Sequence, residues 1–203
     1  MGVTKTHPAE VVVEGVVAGL RQVGENRVQE AAAKVPRVAQ LLASLGSPAP
    51  EWHLIGHLQT NKATAALSCF GTIESVDSVR LAEALSRRLG PGTLPILLEV
   101  YVGEDAERPG FRPGELAAAV GRIVALPGLQ LRGLMTVAPL DWGPAATRGA
   151  FVQVRELGNG LAVAFPGVHW EVLSMGMSGD FETAVEEGST SVRIGRAIFG
   201  ARE

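Results

Sequence analysis

The chain has a single cysteine, Cys69, among its 203 residues. One cysteine excludes an internal disulfide, and low cysteine usage is typical of proteins kept in a reducing compartment. The opening segment, residues 1–10, has no apolar stretch of the kind that a secretory signal requires. We therefore expect a cytoplasmic protein.

Long apolar runs are also missing. Glycine, proline or charged residues interrupt each run well short of the roughly 20 residues needed to span a bilayer. The net charge is −3, the pI is near 5.9, and no stripe of basic residues is visible. The composition thus predicts neither membrane insertion nor binding to nucleic acid. Lysine is scarce as well, since Lys5, Lys34 and Lys62 stand beside fifteen arginines, so each lysine is a candidate for a specific role.

What the chain does have is an alternation of short β-rich runs with longer helical ones, which is the pattern of a parallel α/β sheet. With 46% hydrophobic residues, it is expected to form one domain over residues 1–203. Eight strands are predicted, at Val3–Lys5, Gln22–Gly24, His53–Gly56, Thr72–Val76, Leu94–Val102, Leu131–Val137, Glu171–Leu173 and Ser191–Ile194. Long helices are predicted at Asn26–Leu45, bent at Pro36, and at Ala145–Leu157. Eight strand–helix units in about 200 residues predict a compact (β/α)8 TIM barrel, with an open doubly wound sheet as the alternative.

In a parallel barrel the carboxyl ends of all strands meet at one mouth, so residues at those ends are the candidates for a site. Lys5 follows the first strand, and the last two strands run into Ser174–Ser178 and Arg193–Arg196. Small residues with exposed backbone N–H groups, together with arginines, suit a phosphate. An amine beside a phosphate cradle predicts a Schiff-base cofactor of the pyridoxal phosphate type.

Each of these residues also has an ordinary structural interpretation. Lys5 lies near the start of the chain, Gly195 permits close packing, and Arg193 can serve as an ion-pair partner. Glu99 is either an acid of the site or the partner of a barrel arginine. His53 and His57 are four residues apart, but across a strand end rather than along a helix, so no metal site is predicted.

Motifs at nearly every strand end resemble those of one family. They are Val3-Thr4-Lys5-Thr6, GENRVQEAAAK at 24–34, WHLIGHLQTNK at 52–62, ESVDS at 74–78, GLMTVAP at 133–139, and the closing LSMGMS and VRIGRAIFGAR segments. Over essentially its whole length the chain is similar to the pyridoxal phosphate homeostasis proteins, whose fold resembles the barrel domain of alanine racemase without its second domain. The resemblance implies a protein that holds and delivers pyridoxal 5′-phosphate without robust turnover of its own.

The resemblance also implies a set of cofactor-binding residues and no catalytic ones. Lys5 takes the position of the lysine that forms an aldimine with pyridoxal 5′-phosphate, and Arg193 that of the arginine facing the pyridine nitrogen. An arginine there keeps this nitrogen unprotonated, which makes the ring a weaker electron sink. Phosphate contacts fall on Ser174, Gly195 and Arg196, with Met177 and Ser178 nearby, while Asn26 and His57 line the mouth.

The chain departs from the family pattern in three places. The sequence begins at the lysine strand, so we expect a barrel without the helix that usually precedes this strand, unless the start site is misassigned. Arg196 stands where threonine is common, so a charge replaces a hydroxyl contact to the phosphate. His7 stands where a second lysine is common, which removes a candidate secondary aldimine site.

Two enzyme functions are the alternatives. An amino-acid racemase using pyridoxal phosphate needs acid–base groups on both faces of the reacting carbon. Racemases of the resembling fold take the second group from another domain and a partner subunit, and the single tyrosine here, Tyr101, lies beyond the fifth strand. An aldolase-type barrel using Lys5 needs a carboxylate and a tyrosine as proton shuttles, which the sequence does not assemble. We therefore predict a monomeric carrier whose recipients are apo-enzymes that use pyridoxal phosphate.

Overall fold

The computed structural model describes residues 1–139 and 141–200. Its strands are β1 (Gly2–Val3), β2 (Gln22–Glu25), β3 (Glu51–Leu54), β4 (Thr72–Val76), β5 (Leu94–Glu99), β6 (Leu129–Met135), β7 (Val172–Met177) and β8 (Ser191–Arg193). Its helices are α1 (Ala9–Val17), α2 (Val28–Ser44), α3 (Ala63–Leu67), α4 (Val79–Arg88), α5 (Leu116–Ile123), α6 (Pro144–Ala164), α7 (Phe181–Glu186) and α8 (Arg196–Phe199). Among these described residues, none of the helices combines the length and hydrophobicity that a membrane-spanning segment requires.

The eight strands form one parallel sheet in chain order, from β1 to β8. The sheet closes on itself through a bridge between Gly2 and Ile194. There the Val3 N–H donates to the Ile194 carbonyl at 2.8 Å, and the Ile194 N–H donates to the Met1 carbonyl at 3.0 Å. Closure confirms the predicted (β/α)8 barrel and rules out the open doubly wound sheet.

The main apolar core lies between the strands and the surrounding helices. Leu94, Ile96 and Leu98 of β5 belong to it and are at most 3% exposed. Because successive side chains of a strand point to opposite faces, Leu97 and Glu99 lie on the inner face of the barrel. The inside of the barrel therefore carries polar side chains as well as apolar ones.

Several elements end at different residues from those predicted. β1 ends at Val3, because the chain turns at Thr6 and the His7 N–H returns to the Thr4 carbonyl at 3.0 Å. β5 ends at Glu99. The next residue, Val100, forms only an isolated bridge with Phe111, and the chain then leaves the sheet. α6 continues to Ala164, since its last turns still bury apolar residues against the barrel.

Candidate functional site

A cavity of about 1530 Å³ opens at the carboxyl ends of the strands. Seven of the nine predicted ligand-binding residues line it, namely Lys5, Asn26, Met177, Ser178, Arg193, Gly195 and Arg196. The loops after β5 and β6 form the opposite wall, which includes Tyr101 and Trp142. The fold thus brings residues from both ends of the sequence together at one mouth.

Charge is unevenly distributed around this cavity. Lys5, Arg193 and Arg196 lie where β1 and β8 meet, whereas the opposite loops carry three acidic residues, Glu104, Asp105 and Asp141, and one arginine, Arg108. Asp180 is an acidic residue on the β7 side, where its Oδ1 accepts a hydrogen bond from the Met177 N–H at 2.5 Å. An anionic ligand group is therefore attracted to the corner formed by β1 and β8.

Lys5 sits in a turn directly after β1. The Thr4 N–H still donates to the Gly24 carbonyl at 3.1 Å, so the strand pairing reaches the residue before Lys5. Thr6 has a φ of 69°, and it is the one non-glycine residue in the described ranges with a positive φ. For a β-branched residue this conformation is strained by about 1–3 kcal/mol. The turn ends the strand at the level of the mouth and leaves Lys5 lining the cavity.

Gly195 and Ser178 connect the ends of β8 and β7 at the cavity wall. The Gly195 N–H donates to the Ser178 Oγ at 3.3 Å. A Cβ on Gly195 would lie 3.4 Å from the Val3 carbonyl oxygen, so β1 also approaches this point closely. The ends of β1, β7 and β8 therefore form one corner lined by backbone and small side chains.

Asn26 lines the cavity with an unsatisfied polar atom. Its Oδ1 is buried and has no hydrogen-bond partner within the described residues. A Cβ on Gly56 would lie 2.3 Å from the Asn26 carbonyl oxygen, so only glycine permits this backbone approach. A buried orphan amide atom beside a cavity costs free energy unless a ligand bonds to it. The site is accordingly shaped for a polar ligand.

Arg193 is anchored by hydrogen bonds inside the barrel. Its Nη1 donates to the Ser174 Oγ and its Nη2 to the Thr136 carbonyl, both at 2.7 Å. The Ser174 hydroxyl donates to Glu74 Oε2 at 2.5 Å, and Glu74 Oε1 bonds to His53 Nδ1 at 2.8 Å. Because β4 and β7 are not neighbours, the bond between Glu74 and Ser174 crosses the barrel interior.

Glu74 supplies the counter-charge for this arginine. Burial alone would raise the pKa of Glu74, but the hydrogen bond and charge of His53 and the charge of Arg193 outweigh it and lower that pKa. Burial lowers the pKa of Arg193, against the opposing charges of Glu74 and Glu99. An arginine that is only 4% exposed is thus tolerated because an ionised carboxylate lies beside it.

Two predicted ligand residues do not line the cavity. Ser174 is fully buried, and its hydroxyl accepts a hydrogen bond from Arg193 and donates one to Glu74, so it supports the arginine. The His57 side chain is 55% exposed and bonds through Nδ1 to Asp77 Oδ2 at 2.7 Å. Among the described residues there is no group of His, Cys, Asp or Glu arranged to hold a metal ion.

Glu99 lies at the end of β5 on the inner face of the barrel. Burial and the negative charge of Asp77 raise its pKa to about 7, against the opposing charges of Arg193, His57 and Arg108. In the part of the chain that the structure describes, no hydrogen bond or ion pair involves its carboxylate. The ion pair with a barrel arginine that the sequence left open is therefore not formed.

Replacing Glu99 by glutamine is expected to remove one pH dependence from folding. Its pKa is near 4.5 in the unfolded chain and about 7 in the folded one, so the folded state binds more protons between these values. The wild type consequently loses stability as the pH rises through this interval, by up to about 3 kcal/mol. Urea unfolding of the ligand-free protein should show Glu99→Gln gaining on the wild type as the pH rises from about 4.5 to about 8.

The exposed Glu104→Gln is the matched control for this comparison, and its difference from the wild type should not change with pH. An advantage of Glu99→Gln that is equal at both ends of the pH range would contradict the raised pKa.

The sequence analysis did not identify the residues that hold the backbone next to Lys5. Lys34, in α2, is 7% exposed and donates to the Thr4 carbonyl at 2.8 Å, to Glu25 Oε1 at 2.7 Å and to Glu30 Oε1 at 2.8 Å. The scarcity of lysine was one signal that pointed to this residue. Glu30 and Lys34 are also four residues apart, which places them on the same face of a helix.

The loop after β5 was missed as well. Two guanidinium groups lie over the Tyr101 ring, with the Cζ of Arg108 at 5.7 Å and the Cζ of Arg112 at 4.8 Å from its centre. Arg112 also donates to the carbonyls of Gly110 and Asp105, at 3.2 and 2.9 Å. These contacts order the wall of the cavity that faces Lys5.

Comparison with known protein sequences gives a consistent result. A family model described as the alanine racemase N-terminal domain matches residues 1–203. Pyridoxal phosphate homeostasis proteins from Vibrio cholerae and Aquifex aeolicus are 40% and 38% identical to the chain over 205 residues. The matches cover 100% of this chain and 85% and 86% of those proteins.

Two kinds of solved structure share the fold. The structure of PipY from Synechococcus elongatus with PLP bound has a TM-score of 0.90 and 40% identity, covering 98% of this chain and 91% of that one. An alanine racemase from Clostridium difficile has a TM-score of 0.73 and 17% identity, covering 97% of this chain and 50% of that one. The likeness to the racemase shows the barrel alone.

Proposed function

Because the chain belongs to the family of pyridoxal phosphate homeostasis proteins, we propose that it binds pyridoxal 5′-phosphate (PLP) at the barrel mouth and helps to hold and deliver it. The observation that carries this proposal is the position of Lys5 beside the cationic corner of β1 and β8, in one cavity. Lys5 is the one lysine lining that cavity within the described residues. When bound, PLP supplies an aldehyde, which condenses with a lysine amine to form a C=N bond and release one water.

The residues of the cavity fit such a ligand. Ser178, the backbone at Gly195 and the charge of Arg196 lie where a phosphate would be attracted. The buried Oδ1 of Asn26 has no hydrogen-bond donor within the described residues, and a ligand hydroxyl could supply one. Arg193 can only donate hydrogen bonds, so a pyridine nitrogen facing it accepts one and stays unprotonated.

We propose a carrier rather than a racemase. Racemisation needs a proton donor or acceptor on each face of the reacting carbon, and Lys5 supplies one of them. Tyr101, the single tyrosine of the chain, is stacked against Arg108 and Arg112. The carrier would act as a cytoplasmic monomer that passes PLP to apo-enzymes.

Titration of the purified protein with PLP, followed by borohydride reduction and peptide mapping, tests the proposal. We expect one PLP per chain, a Schiff-base absorption band that borohydride removes, and the reduced adduct on the peptide that contains Lys5. Absence of the band, or an adduct carried mainly by Lys62, would contradict the assignment. A chirality assay with alanine distinguishes the two functions, since steady turnover that is lost in Lys5→Ala would establish a racemase.

A further inference from the structure

Both residues that flank Lys5 are tied to one cluster of side chains on α2. The Thr4 carbonyl, on one side, accepts a hydrogen bond from Lys34 Nζ at 2.8 Å. The Thr6 N–H, on the other side, donates to Glu30 Oε1 at 2.6 Å. The same Glu30 oxygen accepts from Lys34 Nζ at 2.8 Å. The Lys34 ammonium group therefore connects the Thr4 carbonyl, before Lys5, with the Glu30 carboxylate. That carboxylate in turn accepts the hydrogen bond from the Thr6 N–H, after Lys5.

The contact with Glu30 maintains a strained backbone. Thr6 has a φ of 69°, which a β-branched residue adopts only when its surroundings impose it. Packing does not impose it, because Thr6 is exposed. Without the Glu30 acceptor, Thr6 is expected to relax to a negative φ, which rotates the peptide plane that follows Lys5.

Stability alone does not explain the cluster. Lys34 is 7% exposed and its partner Glu25 is fully buried, and one oxygen of Glu25 has no hydrogen-bond partner within the described residues. Burial raises the pKa of Glu25, against the hydrogen bonds from Lys34 and Thr4. A buried ion pair of this kind is weak evidence for stability, because the cost of desolvation offsets the attraction. The hydrogen bonds of Lys34 and Glu30 to the backbone both fall within the segment Thr4–Thr6, which contains Lys5.

We propose that Lys34 and Glu30 are positioning residues for Lys5, a role that rests on the proposed function. They fix the backbone on both sides of Lys5 and so direct its amine toward an aldehyde carbon in the cavity, where the C=N bond forms and water leaves. Neither residue lines the cavity, so they act through the backbone of Lys5 rather than by touching the ligand.

Glu30→Ala tests this role with two ligands. Mixing the ligand-free variant with PLP should show Schiff-base formation slowed about 10-fold relative to the wild type, which corresponds to about 1.4 kcal/mol. Pyridoxine 5′-phosphate carries an alcohol in place of the aldehyde and forms no Schiff base, so its affinity should change less than about twofold. Glu14→Ala, an exposed glutamate of α1, is the matched control and should leave both measurements unchanged.

A second substitution tests whether Glu30 acts on Lys5 through the backbone conformation of Thr6. Glycine adopts a positive φ without strain, so Thr6→Gly added to Glu30→Ala should restore most of the rate. Lys34→Met should slow Schiff-base formation in the same direction, with Lys62→Met as its control. If Lys34→Met does not fold, Glu30→Ala and its rescue decide the question.

The outcomes separate this inference from the function on which it rests. A wild type that forms the Schiff base at the same rate as Glu30→Ala overturns the positioning role alone. An equal loss with both ligands that Thr6→Gly does not restore also overturns it, because a general structural defect then explains the data. A wild type that forms no Schiff base overturns the proposed function and the positioning role together.

Discussion

Replacing Lys5 by alanine is expected to abolish the Schiff-base absorption and to weaken PLP binding on the order of 100-fold, or about 2.7 kcal/mol. No other lysine is placed to substitute for it. Lys34 is buried and bonded to three acceptors, and Lys62 is not among the residues that line the cavity. Contacts near Gly195 and Arg196 remain, so weak binding of the phosphate should persist. Absorption spectroscopy and equilibrium titration measure the two effects.

Lys62→Ala is the matched control and should bind PLP like the wild type. Pyridoxine 5′-phosphate should bind the wild type and Lys5→Ala with similar affinity, because its binding involves no Schiff base. A Schiff-base band that persists in Lys5→Ala would refute the assignment. Equal loss of both ligands would instead mean that the substitution disrupts the cavity.

Arg193→Met is expected to lower the free energy of unfolding by about 3–5 kcal/mol, because it removes the buried cation that compensates the charge of Glu74. Glu74 is 1% exposed and would lose its neighbouring cation, and the Ser174 hydroxyl would lose a donor. Methionine fills a similar volume, so a cavity accounts for little of the loss. Urea unfolding of the ligand-free protein measures the difference.

The charge explanation has a pH signature. The deficit of Arg193→Met should shrink as the pH falls, because protonation of Glu74 removes the uncompensated charge in the variant. Arg37→Met, which removes an exposed arginine 3.5 Å from Glu10, should cost no more than about 1 kcal/mol at any pH. A deficit for Arg193→Met that does not change with pH would indicate lost packing instead.

The barrel and most of its mouth were predictable because strand ends are marked in the sequence. Lys5 follows a short apolar run, and Gly195 interrupts the last one, so both could be assigned to the carboxyl edge of a parallel sheet. Ser174 could not be assigned correctly. Alternation along β7 indicates which side chains face inward. It does not indicate that Glu74, one hundred residues earlier, reaches across the barrel and accepts a hydrogen bond from the Ser174 hydroxyl.

The sequence did not reveal the surroundings of His57 and Lys34, for other physical reasons. His57 lies beyond a strand end, and its direction depends on how Gly56 packs against Asn26, which is a three-dimensional contact. Lys34 lies on the buried face of α2, where Ala31 and Val38 are fully buried. A helical stripe predicts an apolar residue at such a position, so periodicity gives no sign of a buried cation there.

The closure between β1 and β8 has a consequence for when the chain becomes able to bind. Lys5 and Gly195 directly follow the first and last strands, so the proposed binding corner lies on the seam of the barrel. During synthesis, a nascent chain that lacks β8 has only half of that corner. Contacts between the ends of a chain also form late, because closing the longest loop costs the most entropy. A ligand held across the seam favours the closed barrel over every partly open form by mass action.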